Sequence, residues 1–233
     1  MDKIKSFLFS KQEEKYKEFT KKLNPTLDED KIIGVRVPEL RKYAKEIYKE
    51  DRKYVEEYLE KLPHKYLEEY QIHMYLLDNE KDINILIDKT EKVLKYIDNW
   101  PICDIGMGKI SKKYPEIVEK KIFDWLKSDH TFTVRFAIVV LITNFIKQNF
   151  KIEHIKRLSK IKRDEYYINI AIAWYFAECY SKHEEEVLIC LENKEIENVW
   201  VHNKTIQKIR ESLKVEKGKK EYLKTLKIGA IKK

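Results

Sequence analysis

The sequence predicts an all-α fold of helical hairpins stacked one on the next. Three observations carry that expectation. Only 5 Gly and 5 Pro punctuate 233 residues, too few for many strands joined by tight turns. Charged residues make up 38% of the chain, interleaved with apolar positions at helical spacing. Prolines recur where helices would open, since the first turn tolerates a residue lacking an N–H. No strict repeat is visible, so the hairpins would form a degenerate solenoid. The chain is long enough to bury a real core. It is read as one domain, 1–233, with a basic tail over about 214–233.

Residues 11–23 read as an opening helix closed by Asn24-Pro25. Gly34 then permits a turn, and Val37 is pushed extended by the proline after it. Pro38 opens a helix with Leu40, Tyr43, Ala44 and Ile47 on its apolar face. Further helices are expected at about 51–61, at about 64–78 behind Pro63, and at 81–96. The stretch Tyr96–Lys109 follows, crowding a Pro, two Gly, a Trp and a carboxylate together. Asn99 is a good N-cap, so a helix should begin at Trp100 or Pro101. Trp100 and Asp104 would then lie one turn apart on one face, with Asp104 in a first turn whose dipole favours a carboxylate. Taken alone, the pair reads as a core Trp and a dipole-satisfying surface Asp; a functional pair is the alternative.

Pro115 opens a helix at 115–127. The segment Phe132–Phe145, behind a Ser128-Asp129 cap, is apolar on nearly every face and should be central to the core. Arg135 is its only charge, and such a guanidinium must meet a carboxylate or point into a cleft. A second such helix, Tyr166–Tyr180, is capped by Asp164 and contains Trp174, by default a core residue. The helix at 201–212 precedes the tail lysines Lys214, Lys217, Lys219 and Lys220.

The balance of 48 basic against 40 acidic residues gives +8, which suits a polyanionic partner such as nucleic acid. Cys103, Cys179 and Cys190 form no C-x-x-C pair, pointing to a reducing compartment rather than a disulfide framework. The histidines show no metal-ligand spacing. The first residues lack the apolar length of a signal peptide, and the run Phe136–Ile142 is far too short for a membrane span. A soluble, cytoplasmic protein is expected. Ser128, Asp129 and His130 are contiguous and cannot form a catalytic triad, and no G-x-S-x-G is present.

Five blocks are more specific: Gly34–Lys42 (GVRVPELRK), Asp98–Asp104 (DNWPICD), Val134–Val139 (VRFAIV), Tyr167–Trp174 (YINIAIAW) and His202–Ser212 (HNKTIQKIRES). Together, in this order and over most of the chain, they resemble the AlkD-type DNA alkylation repair family of HEAT-like-repeat DNA glycosylases. The resemblance implies a right-handed α-solenoid of degenerate HEAT-like hairpins with a concave, basic DNA-binding face. It implies excision of cationic alkylated purines, of the 7-methylguanine and 3-methyladenine type, from duplex DNA in base excision repair. Asp104 would be catalytic, stabilising oxocarbenium charge or orienting water. Trp100, Arg135 and Trp174 would bind substrate DNA, and Arg36, Arg41 and Lys204 would contact its backbone. Tyr16 and Tyr43 are candidates for an N-terminal aromatic facing the DNA.

The chemistry requires no cofactor and no metal. The partner would be double-stranded DNA containing alkylated bases, bound by a monomer that associates with the nucleoid and not with a membrane. Ile105-Gly-Met-Gly108 departs from relatives that carry a small polar residue after the Asp, which leaves the substrate range open. Two other readings remain: a non-catalytic HEAT-like protein binding distorted or branched DNA, and a protein-interaction scaffold.

Overall fold

Segments with apolar residues three and four apart, and few turn residues between them, fold into helix throughout. A computed structural model describes residues 2–229. Among these residues there are fourteen α-helices and two short 3-10 turns, and no strand. Residues 230–233 of the expected basic tail lie outside the described residues. The chain divides into two compact units, Met1–Tyr114 and Pro115–Lys233. Among the described residues no helix is long and apolar enough to cross a membrane.

The first unit begins with α1 (Lys3–Ser10), for which the sequence offered no expectation. It forms because the Asp2 carboxylate accepts from the Lys5 N–H at 3.2 Å, and because Ile4 and Leu8 are fully buried. Next, α2 (Glu14–Leu23) matches the helix expected over 11–23, but none of its residues is buried. Pro38 opens α3 (Val37–Glu50) as expected, and Leu40, Ala44 and Ile47 are buried. Tyr43 lies on a different side: its ring stacks on Phe7 with centroids 3.7 Å apart, and its hydroxyl donates to the Lys3 carbonyl at 3.1 Å. α4 (Arg52–Glu60) packs on α3.

The centre of this unit is α5 (Leu67–Leu77), which touches α1, α3, α6 (Ile83–Leu94) and α7 (Trp100–Cys103). Every residue of α5 except Tyr75 is buried. Pro63 does not open this helix. The Glu69 carboxylate accepts from the N–H groups of Lys65 and Tyr66, each at 3.1 Å, and so fixes the chain just ahead of Leu67. Beside this turn, His64 Nε2 and His73 Nδ1 are 2.9 Å apart, and Tyr58 stacks on His64.

In the second unit, α8 (Pro115–Trp125) leads into α9 (Thr131–Asn144), α10 (Ile152–Ser159), α11 (Tyr166–Tyr180), α12 (Glu184–Glu192) and α13 (Val199–Glu211). Alternate helices touch: α9 packs on α11, α11 on α13, and α10 on α12. α9 and α11 are the two most apolar helices and hold the core, as expected. Their starts differ from expectation, with His130 and Glu165 at the N-cap positions rather than Ser128-Asp129 and Asp164. Ser128 Oγ instead accepts from the His130 N–H at 3.1 Å. The basic tail is not all tail: α14 (Lys217–Thr225) folds over fully buried Leu223. There Lys219 pairs with Glu184 at 2.6 Å, and the Lys220 carbonyl accepts from Arg210 Nε.

Burial pushes His64 down to about 4 and His73 down to about 3. Both imidazoles are neutral in the folded chain but gain protons near pH 6.5 when unfolded. Stability should therefore be full above pH 6.5 and fall as the pH drops from there towards 4, by at most about 1.4 kcal/mol per pH unit per imidazole. Urea unfolding of wild type and His73→Leu between pH 7 and pH 4.5 checks this. The variant should lose part of the slope, and an identical slope would refute the assignment.

Candidate functional site

The first unit contains a cleft of about 230 Å³ between α2 and the α5–α7 pair. Tyr16, Phe19 and Leu23 of α2 form one wall; Trp100 and Pro101 of α7, with Asp104, form the other. Glu68, Gln71 and Tyr75 of α5 reach it, as does Arg41 of α3. Arg41 lies over the Tyr75 ring, 5.3 Å from its centroid.

The position of α2 follows from one glycine. Gly34 has φ +94, a left-handed backbone that costs other residues strain, and its N–H donates to Glu68 Oε1 at 2.7 Å. Its carbonyl accepts from the Glu13 N–H at 3.0 Å, just ahead of α2. A Cβ on Gly34 would sit 2.7 Å from the Glu13 carbonyl oxygen and 2.7 Å from Lys17 Cβ. Two further contacts hold α2: Arg36 Nε donates to Glu13 Oε1 at 2.9 Å, and Trp100 Nε1 donates to the Leu23 carbonyl at 3.3 Å. The Arg36–Glu13 pair is about half exposed, so solvent screens it and it orients α2 more than it stabilises the fold.

Glu68 is buried, and its carboxylate also accepts from the N–H groups of Ile33 at 3.1 Å and Val35 at 3.4 Å. Burial pushes its carboxyl above the usual range, while these N–H groups pull it back.

Trp100 and Asp104 do share a face, one turn apart, and both line the cleft. The Asp104 N–H donates to the Trp100 carbonyl at 3.1 Å. The dipole expectation is corrected, because α7 is a single turn and Asp104 is its C-cap rather than part of its first turn. The helix stops because Gly106 turns left-handed at φ 77, leaving the aspartate at the unfavourable end of a negligible dipole. Gly108 closes the segment against α5, where a Cβ would meet the Leu77 carbonyl at 3.0 Å.

Arg135 and Trp174 lie in the second unit. Arg135 is 6% exposed, and its Nη1 donates to the Tyr167 carbonyl at 3.0 Å, tying α9 to the start of α11. Trp174 is half-buried on α11, with Nε1 donating to Glu178 Oε1 at 3.3 Å. Lys204 of α13 reaches Gln207 Oε1 at 3.1 Å and lies near the Trp200 ring. Tyr16 lines the cleft of the first unit; Tyr43 does not. Among the described residues no group of three or more His, Cys, Asp or Glu could hold a metal ion, and all three cysteines are buried and in no disulfide.

A family model described as DNA alkylation repair enzyme matches residues 4–214. The chain belongs to that family. No curated protein matches it. For a member of this family, several residues reach the cleft that the sequence did not mark: Glu68, Gln71 and Tyr75 along α5, and Phe19 on α2. An i, i+3/4, i+7 reading of α5 joins Glu68, Gln71 and Tyr75, but so many of its faces are buried that no single stripe stands out. A run of aromatic contacts in the second unit also went unmarked. Phe132 meets Tyr167, which meets Tyr166, 60% exposed, which meets Trp200, 44% exposed.

Gly34→Ala should destabilise the chain by about 1–3 kcal/mol, the usual scale of one strained backbone position. That corresponds to roughly 2–12 °C in melting temperature for a chain this size. Calorimetry with limited proteolysis tests it: α2 should become the first site cut. An unchanged melting temperature and cleavage pattern would remove Gly34 as the determinant of the α2 wall.

Proposed function

We propose that the chain is a DNA glycosylase that hydrolyses the N-glycosidic bond of cationic alkylated purines, of the 7-methylguanine and 3-methyladenine type, in duplex DNA. The observation that carries this reading is Asp104 and Trp100 side by side on an aromatic-walled cleft in a chain of the DNA alkylation repair enzyme family. A purine made cationic by alkylation is already a good leaving group, so no strong general acid is required. As the bond breaks, positive charge develops on the deoxyribose. A carboxylate beside that sugar opposes it by roughly 4 kcal/mol at about 4 Å and an effective dielectric of 20, an upper bound equivalent to about a thousandfold in rate. Asp104 would also orient the attacking water. The Trp100 face offers π density to the cationic base or sugar edge, worth about 0.5–2 kcal/mol.

In this reading the alternating contacts of α9, α11 and α13, and of α10 and α12, support an α-solenoid of HEAT-like hairpins. The net charge of +8 supports a basic DNA-binding face. Arg135, Trp174 and Lys204 would contribute to DNA binding from the second unit, and Arg41 from the first. The protein would act as a monomer on duplex DNA in the cytoplasm, without a cofactor.

Single-turnover release of 7-methylguanine from a duplex oligonucleotide tests the reading directly. Asp104→Asn should slow release by about 10²–10³ while duplex binding at two salt concentrations stays within twofold. Tight duplex binding with no release by wild type would instead favour a non-catalytic DNA-binding protein.

A further inference from the structure

The second unit carries an open groove of about 410 Å³ between α8 and α10. Arg135, Trp174 and Lys204 belong to α9, α11 and α13, so the proposed DNA contacts leave these two helices unused. The floor of the groove is apolar: Phe123 of α8, Leu126 just past it and Ile161 beyond α10 are all partly exposed. The rim is basic. Glu153, Lys156, Arg157 and Lys160 stand at i, i+3, i+4 and i+7, on one stripe of α10 and its C-cap. Lys127 lines the groove from the end of α8. The chain itself engages this charge only in part. Arg157 Nε pairs with Glu153 Oε1 at 2.7 Å, and its guanidinium lies 4.0 Å from the Phe123 ring centroid. Lys160 reaches Glu197 at 3.0 Å and Lys127 reaches Asp124 at 3.9 Å, both on exposed side chains. Lys156 is exposed and makes no ion pair among the described residues.

Shape and charge together define the occupant. A nucleic-acid backbone would meet the lysines but has no apolar group for Phe123, Leu126 and Ile161. A bilayer receives apolar side chains that protrude into it, and these three lie in a recess. A trough between two helices suits a third, whose apolar anchors recur at i, i+3, i+4 and i+7. We propose that the α8–α10 groove docks an acidic amphipathic helix of a partner protein. The apolar face of that helix covers Phe123, Leu126 and Ile161, and its flanking carboxylates meet Lys127, Lys156 and Lys160. Opposite charge of this kind sets the partner and its rate of encounter, while the apolar floor supplies the burial. The proposal uses no residue of the glycosylase reading and does not depend on it.

Fluorescence anisotropy of the full chain with a labelled synthetic helical peptide tests this. The peptide carries leucines at i, i+3, i+4 and i+7 with glutamates on either side of that face; a control has the same composition in scrambled order. The patterned peptide should bind at least about tenfold more tightly than the control, and more weakly as salt rises. The double variant Lys127→Glu, Lys156→Glu should lose at least about tenfold of that binding. Its melting temperature and its single-turnover release of 7-methylguanine should not change, since both side chains are exposed and neither belongs to the Asp104 cleft. Equal binding of the two peptides, or equal binding of the patterned peptide by wild type and variant, would overturn the proposal. So would a variant that keeps the peptide but loses duplex DNA or vesicles containing phosphatidylserine, because the groove would then serve that polyanion.

Discussion

Glu68 sits near the start of α5, 2% exposed, with the N–H groups of Ile33, Gly34 and Val35 all directed at its carboxylate. Without that carboxylate, the N–H groups of three consecutive residues would be left without an acceptor, in a segment where Ile33 and Val35 are buried. Hydrogen bonds to a charged group contribute about 1.5–3 kcal/mol each, which offsets part of the cost of taking the carboxylate out of water. The consequence reaches beyond the contact itself. The Gly34 carbonyl orients the start of α2, and α2 is one wall of the cleft. A single buried acid on the central helix thus sets the shape of the surface that Trp100 and Asp104 face.

The two walls are held differently. No residue of α2 is buried, so little apolar burial anchors it, and its attachments are a few polar contacts with partly exposed partners. Such an element belongs to the low end of local stability. By contrast, α5 and α7 bury Ile72, Leu76, Ile102 and Cys103 essentially completely, so the face that carries Asp104 is rigid. The cleft therefore pairs a fixed side, the one that carries Asp104, with a wall whose position depends on one glycine and a handful of hydrogen bonds.

How much of this was legible in the sequence depended on the range of the interaction. The start of α3 at Pro38 and the all-apolar character of α9 and α11 are local properties, and they were readable. The shared face of Trp100 and Asp104 was readable too, because the i, i+4 relation survives even in a one-turn helix. Helix lengths were less readable: α7 ends at Cys103, ahead of Gly106, whose left-handed backbone is a conformational choice that the residue permits but does not announce. Glu68 and Gln71 were not readable at all. In a helix buried on nearly every side, a polar residue such as Glu68 looks like any other until its partners more than thirty positions away are known. The same holds for α14, where lysines suggested solvent but Leu223 found a core.

The placement of Asp104 at a C-cap changes the electrostatic argument for it. An aspartate in the first turn of a long helix would receive help from the N-terminal dipole; at the end of a single turn it receives none. The cleft offers carboxyl groups from Glu68 and Asp104 against the one guanidinium of Arg41, and Arg41 is engaged with Tyr75. That balance welcomes a ligand bearing positive charge. In the glycosylase reading, a cationic base, or a sugar becoming cationic as its bond to the base stretches, would supply such a charge beside Asp104. Interaction of that kind strengthens as charge develops, and only interactions stronger in the transition state than in the ground state accelerate the chemical step.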